Sequence, residues 1–571
     1  MILSAVSLWK KFNTTTPLGS SEWGETIDKS AKMKFQHVAF SGHRVSDGTV
    51  RIYAEFGRPL GEGKCPAILL LPEAGKELDK ELLYYFIEKG YAVLMPDYTG
   101  KMSTDKENCT RTFYPPSLSY ANFETKCGFS CEEAGENIDV EKSCWFEWTY
   151  VALFAIEYLK SREDITNIGV IGIRTGGEIA WKTMLSPDIK CALPINAAGW
   201  LSSMHLSKFG DNTPMAMSAE RHQFIAGIES QSYAPFVKCP VLMLCALHDD
   251  KFDCDRAYDT FLRLGGDYEN AILYSPESGS CIGHHALTNM DLFLEKHLKG
   301  REIYIPDPLN ISLHEKNGEI IIELEGDEDG LVQEMGIYYA EADVKTKSSY
   351  RDWQRICRAG KSEINNGKFS YKIKAFEGAS AVFVYAYAEY INGFRIASKI
   401  TSKKLLNPNA DAMKSRMVFS GESVDCFGVA QYEDYSVAGI FLETEAVPKL
   451  IKGYGDIKGA YSVGGIKTYK ISSPKFVPSE NALLEFDVYF KKTGVLQVAI
   501  DVADIQLNAE RYVCEVDVTG GGKWKRIILQ SGDFKSRSIG APLANFSKGR
   551  AILFDCEDED NEYAVTNILW L

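Results

Sequence analysis

Apolar residues in the first half of the chain fall in short unbroken runs, whereas those in the second half alternate with polar ones. The runs lie at Cys65–Leu71, within Lys89–Tyr98, at Ile168–Ile173, at Pro240–Leu247 and at Ala271–Tyr274. Unbroken runs of this length read as parallel strands buried on both faces. Between them, helical spacing appears over Trp148–Leu159, at Ile179, Met184 and Leu185, and over Asn289–Leu298. Strand, loop, helix and strand in that order form the right-handed crossover of a parallel sheet. Beyond a linker carrying Pro306 and Pro308, the pattern changes to alternation at Glu319–Leu324, Met335–Ala340, Phe369–Lys374 and Val382–Tyr390. Alternation with polar turns predicts an antiparallel sandwich of immunoglobulin or fibronectin type. Residues 405–571 are also β-rich, with strands at Leu483–Phe490, Val495–Val502 and Arg526–Leu529.

The expected organisation is therefore an N-terminal extension over 1–34 packed on an α/β domain over 35–300, which has a mostly parallel sheet with helices on both faces. Two all-β sandwich domains follow, over 306–404 and 405–571. The α/β part carries a long insertion between Lys101 and Trp145. It leaves from the carboxyl end of a strand, so it is placed to wall or cover a pocket.

Chemistry enters at Gly172-Ile173-Arg174-Thr175-Gly176, between the strand at 168–173 and the following helix. This is the frame of a G-x-S-x-G elbow, a sharp turn that points its central side chain into an active site. The central residue is an arginine, which stays protonated and cannot attack a carbonyl. Downstream, His248-Asp249-Asp250 follows one apolar run, and His284-His285 follows the next. Elbow, acid and histidine is the chain order of an α/β-hydrolase triad, each group falling just after a strand.

On these residues, together with the loop Leu71-Pro-Glu-Ala-Gly75 and the segment Val50–Pro59, residues 35–300 resemble the dienelactone hydrolases and acetyl xylan esterases. The resemblance implies that Asp249 takes the acid position and His285, or His284 beside it, the base position. It also implies an oxyanion hole at Glu73 and Ala74 with the amide of Thr175. The chain departs from the family's pattern at Arg174, the nucleophile position. Trp524–Phe534 and the terminal Val565–Leu571 resemble galactose-binding-like jelly rolls.

Three roles for Arg174 follow from its chemistry: a fork for an anionic ligand, a partner for Glu73, or a plug in the old pocket. Thr175 carries a hydroxyl one position late for attack. A net charge of −15 supplies no basic excess for nucleic acid or anionic membrane, so neither partner is expected. No apolar stretch is long enough to span a bilayer, and the apolar part of the N-terminus precedes its lysines, which predicts a cytoplasmic protein. Most of the 14 cysteines sit in apolar runs. Cys109, Cys127, Cys131 and Cys144 cluster in the insertion; four thiolates there are a zinc alternative, but the 127–131 spacing is at the loose end and the outer two are remote, so they read as free thiols in a long loop. No metal or cofactor is expected. Tyr432, Tyr435, Tyr454, Tyr461 and Tyr469 crowd the last segment; most read as strand-face packing, with a sugar platform as the alternative.

These features lead to a catalytically impaired hydrolase relative that binds a small or carbohydrate-derived ligand. An esterase with a nonstandard nucleophile and a partner-binding scaffold are the alternatives.

Overall fold

The structure is a computed structural model. It describes residues 3–571 except 62, 77, 79, 103–109, 132–138, 204–207, 209–217, 250–251, 253, 266–267, 277–281, 317–318, 327–331, 344–356, 362–363, 366–367, 376–378, 407–414, 425, 431–446, 504–508 and 559. Cys109, Asp250, Tyr432 and Tyr435 lie outside the described residues.

Nine strands make the first sheet: β1 Ser21–Asp28, β2 Met33–Val45, β3 Gly48–Pro59, β4 Cys65–Leu71, β5 Ala92–Pro96, β6 Ile165–Ile173, β7 Ile189–Ile195, β8 Leu242–Ala246 and β9 Ala271–Ser275. Their order is β1-β2-β3-β5-β4-β6-β7-β8-β9. From β5 onward every pairing is parallel, while β1, β2, β3 and β5 pair antiparallel. The helices are α1 Ala5–Trp9, α2 Lys80–Glu88, α3 Cys144–Lys160, α4 Thr175–Thr183, α5 Ala219–Gly227, α6 Ala257–Phe261 and α7 His284–Lys299. Strands β5, β8 and β9 are buried at every position, as strands covered on both faces must be. α3 is buried at 15 of its 17 positions, which makes it a core helix rather than an amphipathic one.

The extension before residue 35 is more than a covering segment. Residues 21–28 become the edge strand of the sheet, with Ser21 opposite Ala39 and Asp28 opposite Met33. The pairing is written in contacts with β2 rather than in apolar periodicity, because β1 is exposed along most of its length.

Among the described residues, the remainder of the chain forms four antiparallel sheets. Two, of four and five strands, lie within Asn310–Lys404, and two six-stranded sheets lie within Met417–Trp570. One continuous cluster of buried apolar residues runs from Leu8 to Ile400, and a separate one spans Val418–Trp570. The linker at 301–309 therefore does not interrupt the core. Tyr385 packs 5.3 Å from Tyr274 of β9 and stacks 5.1 Å from Tyr338, carrying the interior across the junction. No helix among the described residues is long and apolar enough to cross a membrane.

Candidate active site at the strand-to-helix turn

Arg174 sits between β6 and α4 with φ 48° and ψ −109°. This is a left-handed conformation for a residue with a side chain, and it costs about 1–3 kcal/mol unless the surroundings enforce it. Here they do. A Cβ on Gly172 would lie 2.4 Å from the Gly176 carbonyl oxygen, and one on Gly176 would lie 2.0 Å from that of Leu71. The two glycines let the first turn of α4 press onto the ends of β4 and β6. The Arg174 amide donates to Ile195 O at 2.8 Å, and the Arg174 carbonyl receives the Glu178 amide at 3.0 Å, so the apex is held from both sides.

The guanidinium is claimed by two carboxylates. Nε donates to Asp249 Oδ2 at 2.8 Å and Nη2 to Asp249 Oδ1 at 2.7 Å, a bidentate fork. Nη1 reaches Glu73 at 3.2 and 3.4 Å. Asp249 is fully buried and Glu73 nearly so. The pair expected with Glu73 is present, but the shorter and better aligned partner is Asp249. A planar donor fork matches a carboxylate two bonds at a time, and such charge-assisted pairs are the strong ones.

Asp249 is positioned by neighbours whose role the sequence pattern did not disclose. Asn196, in a left-handed turn after β7 (φ 49°), donates Nδ2 to Asp249 Oδ2 at 3.2 Å and accepts the Ala246 amide at 2.7 Å. The Phe252 amide adds a third donor at 2.8 Å. Only an asparagine standing directly after a strand hinted at this, since that residue tolerates positive φ.

The loop carrying Glu73 and Ala74 faces the start of α4. Thr175 opens that helix, so its amide belongs to the first-turn donors that lack an intrahelical acceptor. The insertion closes this loop. Phe123 lies so near Gly75 (φ 79°) that a Cβ there would meet the ring at 2.2 Å. Tyr98 donates its hydroxyl to Pro72 O at 2.5 Å. Asp97, at the end of β5, accepts amides from Gly100 at 2.8 Å and Thr112 at 3.0 Å, tying both ends of the insertion's first arm together. Burial raises the Asp97 pKa above the ordinary carboxylate value.

The histidines lie at the N-terminus of α7. His285 Nδ1 is 3.5 Å from Glu389 Oε2, a residue of the antiparallel strand Ala379–Tyr390, and Glu389 is held by Arg395 at 2.7 Å. His284 packs against the His285 ring, and its pKa is lowered, by burial first and then by Arg395. The described contacts therefore divide the two implied triad members: Asp249 goes to Arg174 and His285 to Glu389, and no described contact joins Asp249 to His285.

His248, next to the acid, is buried and stacks face to face on Tyr469 of the last domain, with centroids 3.8 Å apart and planes at 5°. Burial, together with the Arg550 and Lys467 charges, pushes its pKa well below the ordinary value. Glu389 was not recognisable as a site residue from sequence, and Tyr469 was read only with the other tyrosines of the last segment, as strand-face packing or a sugar platform; both are distant in sequence from the turn at Arg174.

One turn along α4, Glu178 receives the Gly199 amide at 2.9 Å and the Ser230 hydroxyl, while Lys182 donates to Glu178 O at 2.9 Å. Lys182 lies between the Tyr233 and Trp145 rings, and burial lowers its pKa to about 8. In the insertion, Cys127 is exposed, Cys131 half-buried and Cys144 buried, all as free thiols. Among the described residues no three His, Cys, Asp or Glu side chains are grouped to hold a metal ion.

No protein-family model matches this chain, and no curated protein matches it. Solved structures do. Acetyl xylan esterase 1 from Thermoanaerobacterium sp. JW/SL YS485 is 14% identical, with a TM-score of 0.36, and the match covers 48% of this chain and 87% of that one. The acetyl xylan esterase from Paenibacillus sp. R4 is 17% identical with a TM-score of 0.37, over 52% and 92% of the two chains. The Pyrococcus horikoshii acylaminoacyl peptidase is 15% identical with a TM-score of 0.34, over 50% and 51%. Likenesses of this size carry nothing about activity. What the structure itself shows of the N-terminal region is a mostly parallel sheet in the strand order given above, with a sharp strand-to-helix turn at Arg174.

Proposed function

We propose that this chain is a hydrolase relative that has given up covalent catalysis and acts by binding a small, carbohydrate-derived ligand. The observation that carries the first half is the Arg174 fork. A protonated guanidinium occupies the apex where an attacking atom would stand, and it consumes the carboxylate that would orient a catalytic histidine. Breaking such a buried pair by removing one partner costs about 3–5 kcal/mol, so neither group of the fork is readily released for chemistry.

The same geometry bears on ligand class. An anion seeking Arg174 must displace two carboxylates that already neutralise it. A neutral, hydroxyl-rich ligand makes no such demand and needs only hydrogen-bond partners and apolar faces. The insertion packed on the Glu73 loop, and both β regions delivering side chains to the sheet's carboxyl edge, support a site given over to assembly rather than turnover.

The test is hydrolysis of short acyl 4-nitrophenyl esters by the wild type and by Arg174→Ala. Equal rates without an acyl-enzyme burst are expected. Turnover that the substitution abolishes would overturn the reading and return the chain to the esterases.

A further inference from the structure

A stacked pair of rings joins the C-terminal β region to the carboxyl edge of the sheet. His248 follows the end of β8, and Tyr469 stands between the strand Ile466–Thr468 and the turn Lys470–Ser472. The rings lie 3.8 Å apart and within 5° of parallel, and His248 is only 7% exposed. The two regions have separate apolar cores, since the cluster from Leu8 to Ile400 and the one over Val418–Trp570 do not merge among the described residues. The C-terminal region can therefore leave the sheet without opening either core. Its docking depends on contacts such as this stack.

The charges around the stack suit a neutral imidazole. Lys467 and Arg550 both act on His248, and their charged groups lie 4.9 and 6.0 Å from the Tyr469 centroid. Behind Lys467, Asp501 receives Lys467 Nζ at 2.8 Å and Arg511 Nε at 2.8 Å, so two cations already answer that carboxylate. Asp249, the next residue after His248, is turned to Arg174. A hydrogen bond to the Pro276 carbonyl favours the charged ring, but burial first, and then the two cations, outweigh it and lower the pKa well below the ordinary 6.5. The buried Nδ1 meets no hydrogen-bond partner among the described residues, so nothing there stands ready to accept from a protonated ring.

We propose that His248 is a pH-released latch: neutral, it docks the C-terminal β region through Tyr469 over the end of β8, and protonated, it lets that region go. Release follows from linkage. Undocked, His248 is an ordinary imidazole in water, so the open form takes up a proton that the docked form excludes. Docking is at full strength above about pH 6.5 and weakens by up to about tenfold for each unit below it, about a hundredfold by pH 4.5, for as long as the docked ring stays neutral. Burial raises the Asp501 pKa, but Lys467 and Arg511 outweigh it and hold it at about 2, so Asp501 keeps its charge through that range and is not the trigger. Because Asp249 directly follows His248, release would uncover the strand end that holds Arg174.

The experiment is small-angle X-ray scattering of the full chain, eluted from a sizing column at pH 7.5 and at pH 4.5, for the wild type, His248→Phe and Tyr469→Ala. Phenylalanine keeps a ring on Tyr469 and cannot take a proton, while the alanine removes the other half of the stack at any pH. The wild type should be compact at pH 7.5. At pH 4.5 its radius of gyration should grow by at least a tenth of the ~25 Å of a compact chain of this length. His248→Phe should stay compact at both, and Tyr469→Ala should be extended already at pH 7.5. A wild type of unchanged size, or an equal expansion in the wild type and His248→Phe, would overturn the proposal. So would a Tyr469→Ala chain that stays compact at pH 7.5, or a His248→Phe chain that is extended there, since either places the hold elsewhere. Far-UV circular dichroism separates release from unfolding: loss of the sheet signal alongside the expansion at pH 4.5 would also refute the latch.

Discussion

Replacing Arg174 with methionine keeps most of the side chain's length and removes the fork. Asp249, fully buried, would then lose its bidentate partner while keeping Asn196 Nδ2 at 3.2 Å and the Phe252 amide at 2.8 Å, with no guanidinium between it and Glu73. Removing one partner of a buried ion pair costs about 3–5 kcal/mol. For a domain of this size each kcal/mol moves the midpoint by roughly 2–4 °C, so the sheet domain's transition should fall by roughly 6–20 °C. The double variant Arg174→Met with Asp249→Asn removes the stranded charge and should recover at least about 2 kcal/mol over the single one. Arg174→Gly loses the same pairs but relieves the left-handed backbone, and should be milder than Arg174→Met by about 1 kcal/mol. Differential scanning calorimetry gives the midpoints, and hydrogen exchange on the peptide containing β8 assigns the transition. A single variant within about 1 °C of the wild type, or a double variant that is worse than the single, would refute the reasoning.

Three further outcomes are expected. Gly176→Ala should abolish soluble expression or lower stability by more than about 4 kcal/mol, because its Cβ would stand 2.0 Å from a backbone oxygen that no rotamer change can move; near-normal expression and melting would show that α4 sits differently. Asn289→Leu should loosen the first sandwich from the sheet by about 2–5 kcal/mol, since the buried amide bonds both the Arg395 amide at 2.8 Å and its carbonyl at 2.6 Å; limited proteolysis of the 301–309 linker reads it, and an unchanged cleavage rate would count against the clamp. Lys182 has a folded-state pKa of about 8, below the ordinary lysine value, so between the two the unfolded chain binds more protons and stability should rise with pH; urea midpoints at pH 7.5 and 9.5 should diverge in the wild type and converge in Lys182→Met, and an equal slope in both would exclude Lys182 as its source.

The parallel strands could be read from the sequence because strands covered on both faces leave unbroken apolar runs. The apex could be read because Gly172 and Gly176 flank it, and close backbone approach is what a missing Cβ permits. The place after β8 pointed to Asp249 and Asp250 alike, and only the family resemblance chose Asp249. Contacts made across domains left no such trace. Glu389 looks like any polar residue at a strand end until its strand is laid against α7, and Tyr469 is one of several tyrosines until it meets His248. The edge strand at 21–28 escaped for a related reason: it has little apolar periodicity because it buries little, and its definition lies in hydrogen bonds to β2. The bidentate preference of Arg174 for Asp249 over Glu73 is a matter of angstroms, set by Asn196 and the turn after β8.

The central claim is that the hydrolase-like site holds no activated nucleophile because Arg174 fills the apex and binds the acid. Intact-mass and peptide mapping after incubation with an alkyl fluorophosphonate, a reagent that marks activated serine and threonine hydroxyls, tests this without presuming a substrate. The account predicts no phosphonyl adduct between residues 165 and 300, in the wild type or in Arg174→Ala. A stoichiometric adduct in that region, at Thr175 above all, would contradict it.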